Sequence, residues 1–169
     1  MRTCSFVLSV VASMVFLPAQ AIGAEKTEQK PAGSFVVHPI GHVHKTEGRT
    51  RIVLDKKYEP GLLGLDGFSH VFVFWWFDKN DTPQKRSILQ VHPRGDAKTP
   101  LTGVFACRAP VRPNLIALSL CKIASVKDNV VEVEKIDAFE GTPVLDIKPF
   151  LPGYDSVPDA KVPDWAKPK

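Results

Sequence analysis

The segment His70 to Phe77 restricts the fold more than any other in this 169-residue chain. It runs His, Val, Phe, Val, Phe, Trp, Trp, Phe, and aromatic and β-branched side chains suit a pleated surface. Both alternating faces are apolar, so the segment reads as a strand buried on both sides, in a barrel wall or beneath other elements. Shorter strand-like runs surround it: Phe35 to Val43, Thr50 to Leu54, Ser87 to Val91, Thr102 to Cys107, Ile116 to Ile123, Val130 to Lys135 and Val144 to Ile147. Gly61 to Gly67 is too glycine-rich for a stable helix and reads as one short turn. No stretch carries a helical stripe over three turns, and all but one of the 15 prolines fall after residue 30. Many short strands with regular turn signals predict a mostly β chain with a closed or nearly closed sheet, which hides its own edges. The length predicts a single domain able to bury a core.

The first 24 residues read as a targeting segment. Arg2 gives a positive start, Phe6 to Phe16 is almost uninterruptedly apolar, and Ala19-Gln20-Ala21 offers a small-x-small cleavage site, with a second after Ala24. The apolar run is shorter than the ~20 residues that span a bilayer, which favours a cleaved signal peptide over a permanent anchor. The expectation is therefore export, periplasmic or secreted; an unprocessed leader would leave the protein cytoplasmic. Residues 25–34 read as a flexible spacer, 35–152 as the β-barrel domain and 153–169 as a Pro-rich tail that wraps the surface or is disordered. Removing the leader takes away Arg2 and no acid, so the formal charge falls from +4 to +3. That balance permits a phosphate-rich partner without requiring one. Cys107 and Cys121 remain, in segments that read as neighbouring strands, and either pair as a disulfide or pack as thiols.

Most familiar chemistries find no support. His38, His42 and His44 share a parity along one extended segment, but zinc-type spacings and nearby cysteines are missing, so no metal site is assigned. Ser69 and His70 are adjacent, and on one strand they would point to opposite faces and fail to pair. No glycine-rich loop opens a helix after a strand, which excludes the dinucleotide-binding and P-loop readings. Two clusters are more informative. Arg108, Arg112 and Asn114 lie in a loop stiffened by Pro110 and Pro113, where paired guanidinium donors suit a carboxylate or phosphate; a surface loop bonding its own carbonyls is the plainer alternative. Asp137 to Pro149 contains Gly141, suited to a tight turn, and Thr142, whose surroundings suit a ribose or amino acid moiety; a simple hairpin turn explains the composition equally well. Asp146 and Lys148 share a parity and are expected to pair.

Taken together, the segments Ile40-Gly41, Leu65 to His70, Val91 to Gly95, Gly103 to Asn114 and Gly141 to Pro149 resemble, in composition and order, the TrmO-like (TsaA-like) family, over about residues 37–152. The resemblance implies a small β-barrel methyltransferase, usually a homodimer, that uses S-adenosylmethionine to methylate N6 of threonylcarbamoyladenosine in the tRNA anticodon loop. Carried over residue by residue, it implies a donor site at Asn80, Asp81, Arg108, Glu140, Gly141, Thr142 and Pro143, with Leu120 against the adenosine and Arg112 and Asn114 shaping the same pocket. It assigns no residue to a catalytic step. The chain departs from the family pattern at Asp78 (usually His), Cys107 (Thr), Leu115 (often Pro), Ala117 (Gly) and Glu140 (Asp). A signal-like leader on such an enzyme is unusual, because tRNA and the methyl donor are cytoplasmic. The alternative to an enzyme is thus an exported, non-enzymatic barrel that binds a small ligand.

Overall fold

The computed structural model describes residues 33–167, so the expected leader at 1–24 and nearly all of the spacer lie outside the described residues. From Gly41 the chain builds β1 (Gly41–Thr46), then β2 (Arg49–Leu54), in antiparallel register from Gly41 opposite Leu54 to Thr46 opposite Arg49. Two 3-10 turns, Lys56–Leu62 and Leu65–Gly67, lead into β3 (His70–Trp76). The short helix α1 (Pro83–Arg86) follows, then β4 (Gln90–Val91) and β5 (Thr102–Gly103), which pair only with each other. The long β6 (Ile116–Lys127), β7 (Val130–Val133) and β8 (Pro143–Pro149) complete the sheet, and α2 (Pro152–Asp155) lies in the tail. The order β1-β2-β7-β6-β3-β8 closes into a barrel.

Alternation fills the barrel. Val43, Ile52, Val71, Val73, Trp75, Ala117, Cys121, Val131, Val133 and Val144 point inward and are buried. A fully buried Val or Ile side chain contributes about 1.5–3 kcal/mol, so these short strands are held by their shared interior. Closure depends on a short seam, where β1 meets β8 through Gly41 opposite Val144 and His42 opposite Pro143. A side chain at Gly41 would run into the backbone of Val53 and Leu54 on β2, so only glycine fits there.

The strand at His70 is present, but its outer face is not buried as expected. Phe72, Phe74 and Trp76 are half-buried and lie opposite Leu120, Leu118 and Ile116 of β6. Among the described residues no second layer covers them; Phe150 packs edge-on to Phe72, while Lys148 and Arg86 sit over the rings of Phe74 and Trp76. The expected pair of Asp146 and Lys148 forms, at 2.8 Å.

Several boundaries shift. The first strand runs over Gly41–Thr46 instead of Phe35 to Val43, because its length is set by pairing with β2. Ser87 to Val91 shrinks to Gln90–Val91, since Thr82 caps α1 and the helical turn carries through to Ser87. The strand expected to reach Cys107 stops at Gly103 and becomes a 3-10 turn, Val104–Ala106. The single turn expected at 61–67 is two turns. Cys107 is therefore in a loop, not on a strand beside Cys121; both thiols are free, and burial pushes that of Cys121 up to about 11. Ser69 precedes the first residue of β3, outside the strand's alternation, and its hydroxyl bonds His70 Nδ1 at 2.9 Å, contrary to the expectation that the two cannot pair.

Candidate functional site

A cleft of about 1140 Å³ opens where β3 runs out at Trp76 and β6 begins at Ile116. Its floor is the end of the barrel interior: Trp75, Ala117, Ser119, Ile136 and Ala138. Trp75 is fixed by Nε1 donating to Ser119 Oγ at 3.0 Å and by edge-on packing against Phe77 at 4.7 Å. The rim is apolar and open, with Phe105 and Phe139 from two loops and Ile116, Leu118 and Leu120 from the outer face of β6.

The loops are held by short, local devices. Phe77 N donates to Leu115 O at 2.9 Å, tying together the segments that leave β3 and enter β6. Arg86 is a junction: its Nε donates to Asp81 Oδ1 at 2.8 Å and its Nη1 to Pro113 O at 2.9 Å, while its guanidinium lies over Trp76. Trp76 Nε1 donates to the second oxygen of Asp81 at 3.0 Å, and Lys85 Nζ donates to Asn80 Oδ1 at 2.9 Å. The bond from Arg86, then that from Trp76, holds the Asp81 carboxyl below its usual range. Asn80 and the Arg112–Asn114 stretch are thereby braced against each other.

The cleft is electropositive, lined by Lys45, Lys79, Arg108, Arg112 and Lys135 against Asp78 and Asp137. Lys79 is 3.5 Å from Asp78, Lys45 Nζ donates to Ile136 O at 3.1 Å, and Arg112 Nη2 donates to Val104 O at 3.4 Å. The side chains of Arg108 and Lys135 have no hydrogen bond or ion pair among the described residues, which leaves their charges available to a ligand. Among the described residues no group of three or more His, Cys, Asp or Glu is placed to hold a metal ion.

The residues singled out from sequence divide into two sets. Asn80, Arg108, Arg112, Asn114 and Leu120 line the cleft. Asp81, Glu140, Gly141, Thr142 and Pro143 do not. Asp81 faces Arg86 and Trp76, as above. Glu140 turns to β1, accepting from the backbone N of Lys45 and bonding His44 Nδ1 at 2.8 Å; these two contacts, in that order, lower its carboxyl pKa. Gly141 takes the turn at φ +75°, Thr142 is fully buried beside β1, and Pro143 starts β8. The stretch just before this turn, Lys135 to Phe139, supplies the cleft wall instead. Sequence reasoning placed Asp137 at the head of a cluster and named Leu120 on β6, but missed Lys135 and Ile136, Lys45, Phe105 and the other outer residues of β6, Ile116 and Leu118. The available signal was the alternation of Ile116, Leu118 and Leu120, which leaves three apolar side chains outside the barrel.

The model for the tRNA-methyltransferase O N-terminal domain matches residues 34–156. A probable S-adenosyl-L-methionine-binding protein of Methanocaldococcus jannaschii is 44% identical over 121 residues, which cover 72% of this chain and 96% of that protein. The tRNA (adenine(37)-N6)-methyltransferase of Mus musculus is 43% identical over 98 residues, 58% of this chain but only 22% of the mouse protein. Among solved structures, TrmO from Pseudomonas aeruginosa superposes with a TM-score of 0.63 at 29% identity, covering 80% of this chain and 63% of that one. The chain thus spans almost all of the archaeal relative but less than two thirds of these two.

Proposed function

The chain belongs to the family of the tRNA-methyltransferase O N-terminal domain, and from that premise we propose that its cleft binds S-adenosylmethionine and directs methyl transfer to tRNA. One observation carries the reading: side chains from three separate loops, Asn80, Arg108, Arg112 and Asn114 among them, converge on one aromatic-floored, electropositive cleft. When bound, S-adenosylmethionine supplies an activated methyl group on a sulfonium. The residues present suit it. Arg108 offers an uncommitted guanidinium fork for the carboxylate, Trp75 and Phe77 offer ring faces for the adenine, and Asp78 and Asp137 offer acceptors for ammonium and ribose hydroxyls. These residues bind and orient, and the braced loops let them do so with little ordering cost. The finer substrate is N6 of threonylcarbamoyladenosine in the anticodon loop, with Lys79, Lys135 and Arg112 meeting the RNA phosphates.

The protein acts as a homodimer in this reading. Three cross-strand pairs, Phe72 with Leu120, Phe74 with Leu118 and Trp76 with Ile116, form an apolar outer stripe beside the cleft, of the kind that marks protein contacts. The apolar run Phe6 to Phe16 within the expected leader favours export, and with it a second reading: an exported, non-enzymatic barrel that binds a small ligand.

Calorimetric titration with S-adenosylmethionine tests the donor site. The parent should bind saturably, and Arg108→Ala should weaken binding about 10- to 100-fold, the value of a charge-assisted bond. A folded parent that shows no binding refutes the first reading and turns the second toward a different ligand. Binding without methyl transfer to threonylcarbamoyladenosine-containing tRNA selects the second.

A further inference from the structure

A second, smaller cleft lies away from the first and shares no lining residue with it. It has a volume of about 300 Å³ and is lined by Arg94, Asp96, Lys98 and Thr99 on one side and by Asp164, Trp165 and Lys167 on the other. The first group sits between β4 and β5; the second comes from the C-terminal tail, beyond residue 156 where the family match ends. The cleft is thus assembled from residues inside the family match and residues that lie beyond it.

Its polar groups are sorted in a telling way. The acids are occupied: Asp96 Oδ1 accepts from Lys98 N at 2.9 Å, and Asp164 Oδ1 pairs with Lys167 Nζ at 2.5 Å. Thr99 Oγ1 is spent on the carbonyls of Pro93 and Asp96. The donors are not. The side chains of Arg94 and Lys98 make no hydrogen bond or ion pair among the described residues, and neither does the Trp165 indole N–H. The other two indoles, of Trp75 and Trp76, both have partners. Arg94 is also held at φ +61°, a left-handed conformation unfavourable for a non-glycine residue, which here aims a long cation from a tight turn flanked by Pro93 and Gly95.

An indole beside two uncommitted cations recognises a flat ring joined to an anion. We propose that this cleft binds a nucleotide, its base against Trp165 and its phosphate on Arg94 and Lys98, either as a free mononucleotide or as one unit of a single-stranded RNA. The volume is at the lower end of the ~300–1,000 Å³ of small-ligand clefts, so one nucleotide occupies it and a bulkier ligand does not. The site stands independently of the proposed methyl-donor cleft.

The test is fluorescence titration of the purified full chain with AMP and, separately, with a short oligoadenylate. Trp165→Phe, Trp165→Ala and Arg94→Gly are compared with the parent; the last removes the guanidinium while relieving the backbone. Saturable quenching by the parent is expected, with binding at least about 10-fold weaker in Trp165→Ala and Arg94→Gly and largely retained in Trp165→Phe when followed by calorimetry. Arg108→Ala, in the other cleft, is expected to leave this binding unchanged. AMP binding as tightly as the oligomer identifies a free mononucleotide, whereas binding of the oligomer alone identifies an RNA strand. Failure of both ligands to bind overturns the proposal. So does binding that Trp165→Ala and Arg94→Gly leave intact, or that Arg108→Ala abolishes.

Discussion

Replacing Gly41 by alanine places one methyl group against the seam that closes the barrel. The new carbon would overlap the Val53 carbonyl oxygen and lie 2.6 Å from Leu54 Cα and 2.9 Å from Val53 C. Carbon atoms in contact sit about 3.5–4.0 Å apart, so β1 and β2 must separate by roughly 1 Å at a point where both are committed to other partners. Gly41 also faces Val144 of β8, so the displacement opens the short β1–β8 pairing as well. Overpacking costs about 1–3 kcal/mol, and the obstructing atoms here are backbone that no rotamer change can move, which puts the cost near the upper end, ~3 kcal/mol. For a barrel between the small and mid-sized domain ranges, each kcal/mol moves Tm by about 4 °C, giving a fall of about 12 °C. Thermal and urea melts followed by circular dichroism measure it. Gly61→Ala is the control, because nothing lies within 4 Å of its added carbon and its stability should change by less than about 0.5 kcal/mol. A Gly41→Ala protein melting within about 2 °C of the parent would refute the reasoning that this seam admits no side chain.

Other expectations follow from single contacts. Ser119→Ala strands the buried Trp75 indole N–H and should cost about 1–2 kcal/mol in urea unfolding, with a shifted tryptophan emission. Arg86→Ala unties Asp81 from Pro113 and should weaken S-adenosylmethionine binding several-fold in calorimetry without unfolding the barrel; Arg86→Lys should restore it only in part, since one ammonium cannot span both partners. Glu140 has a lowered carboxyl pKa when folded, so its contribution to stability is complete above the ordinary 4.5 and disappears as pH falls from there through the folded value. Glu140→Gln should therefore flatten the acid limb of a stability-against-pH curve and leave its slope above pH 5 unchanged; an unaltered acid limb would contradict the assignment.

What could be read in advance followed from physics that is local to the chain. The β3 strand was legible because its aromatic and β-branched run suits nothing but a sheet, and a chain of many short strands with no helical stripe left a barrel as the economical way to hide edges. Boundaries set by a partner were not legible. Lys45 and Thr46 look like turn residues, yet they are strand because Thr50 and Arg49 lie opposite them. Phe105 and Ala106 look like strand, yet they fold into a 3-10 turn because β5 ends with β4. The same limit applies to the cleft. Arg108 and Asn114 could be named from loop chemistry, but that Glu140 turns away to Lys45 and His44 while Phe139 faces the cleft depends on contacts nearly a hundred residues apart. Nor could the tail be foreseen as a wall of its own cleft. Asp164, Trp165 and Lys167 carry no periodic pattern, and only their approach to Arg94 gives them meaning.

The placement of the two thiols bears on where this barrel can be made. Exchange between thiols and disulfides proceeds through the thiolate, and with its pKa near 11 Cys121 exposes only about one anion in ten thousand molecules at neutral pH. It faces the filled barrel interior, while Cys107 sits in a loop with its sulfur directed at the carbonyls of Gly103 and Val104. Neither an oxidising nor a reducing buffer therefore has a handle on the core. The barrel should melt at the same temperature with and without dithiothreitol, and Cys121 should resist alkylation until denaturant is added. A fold indifferent to redox conditions can mature on either side of a membrane, so these two thiols do not tie the barrel to one compartment.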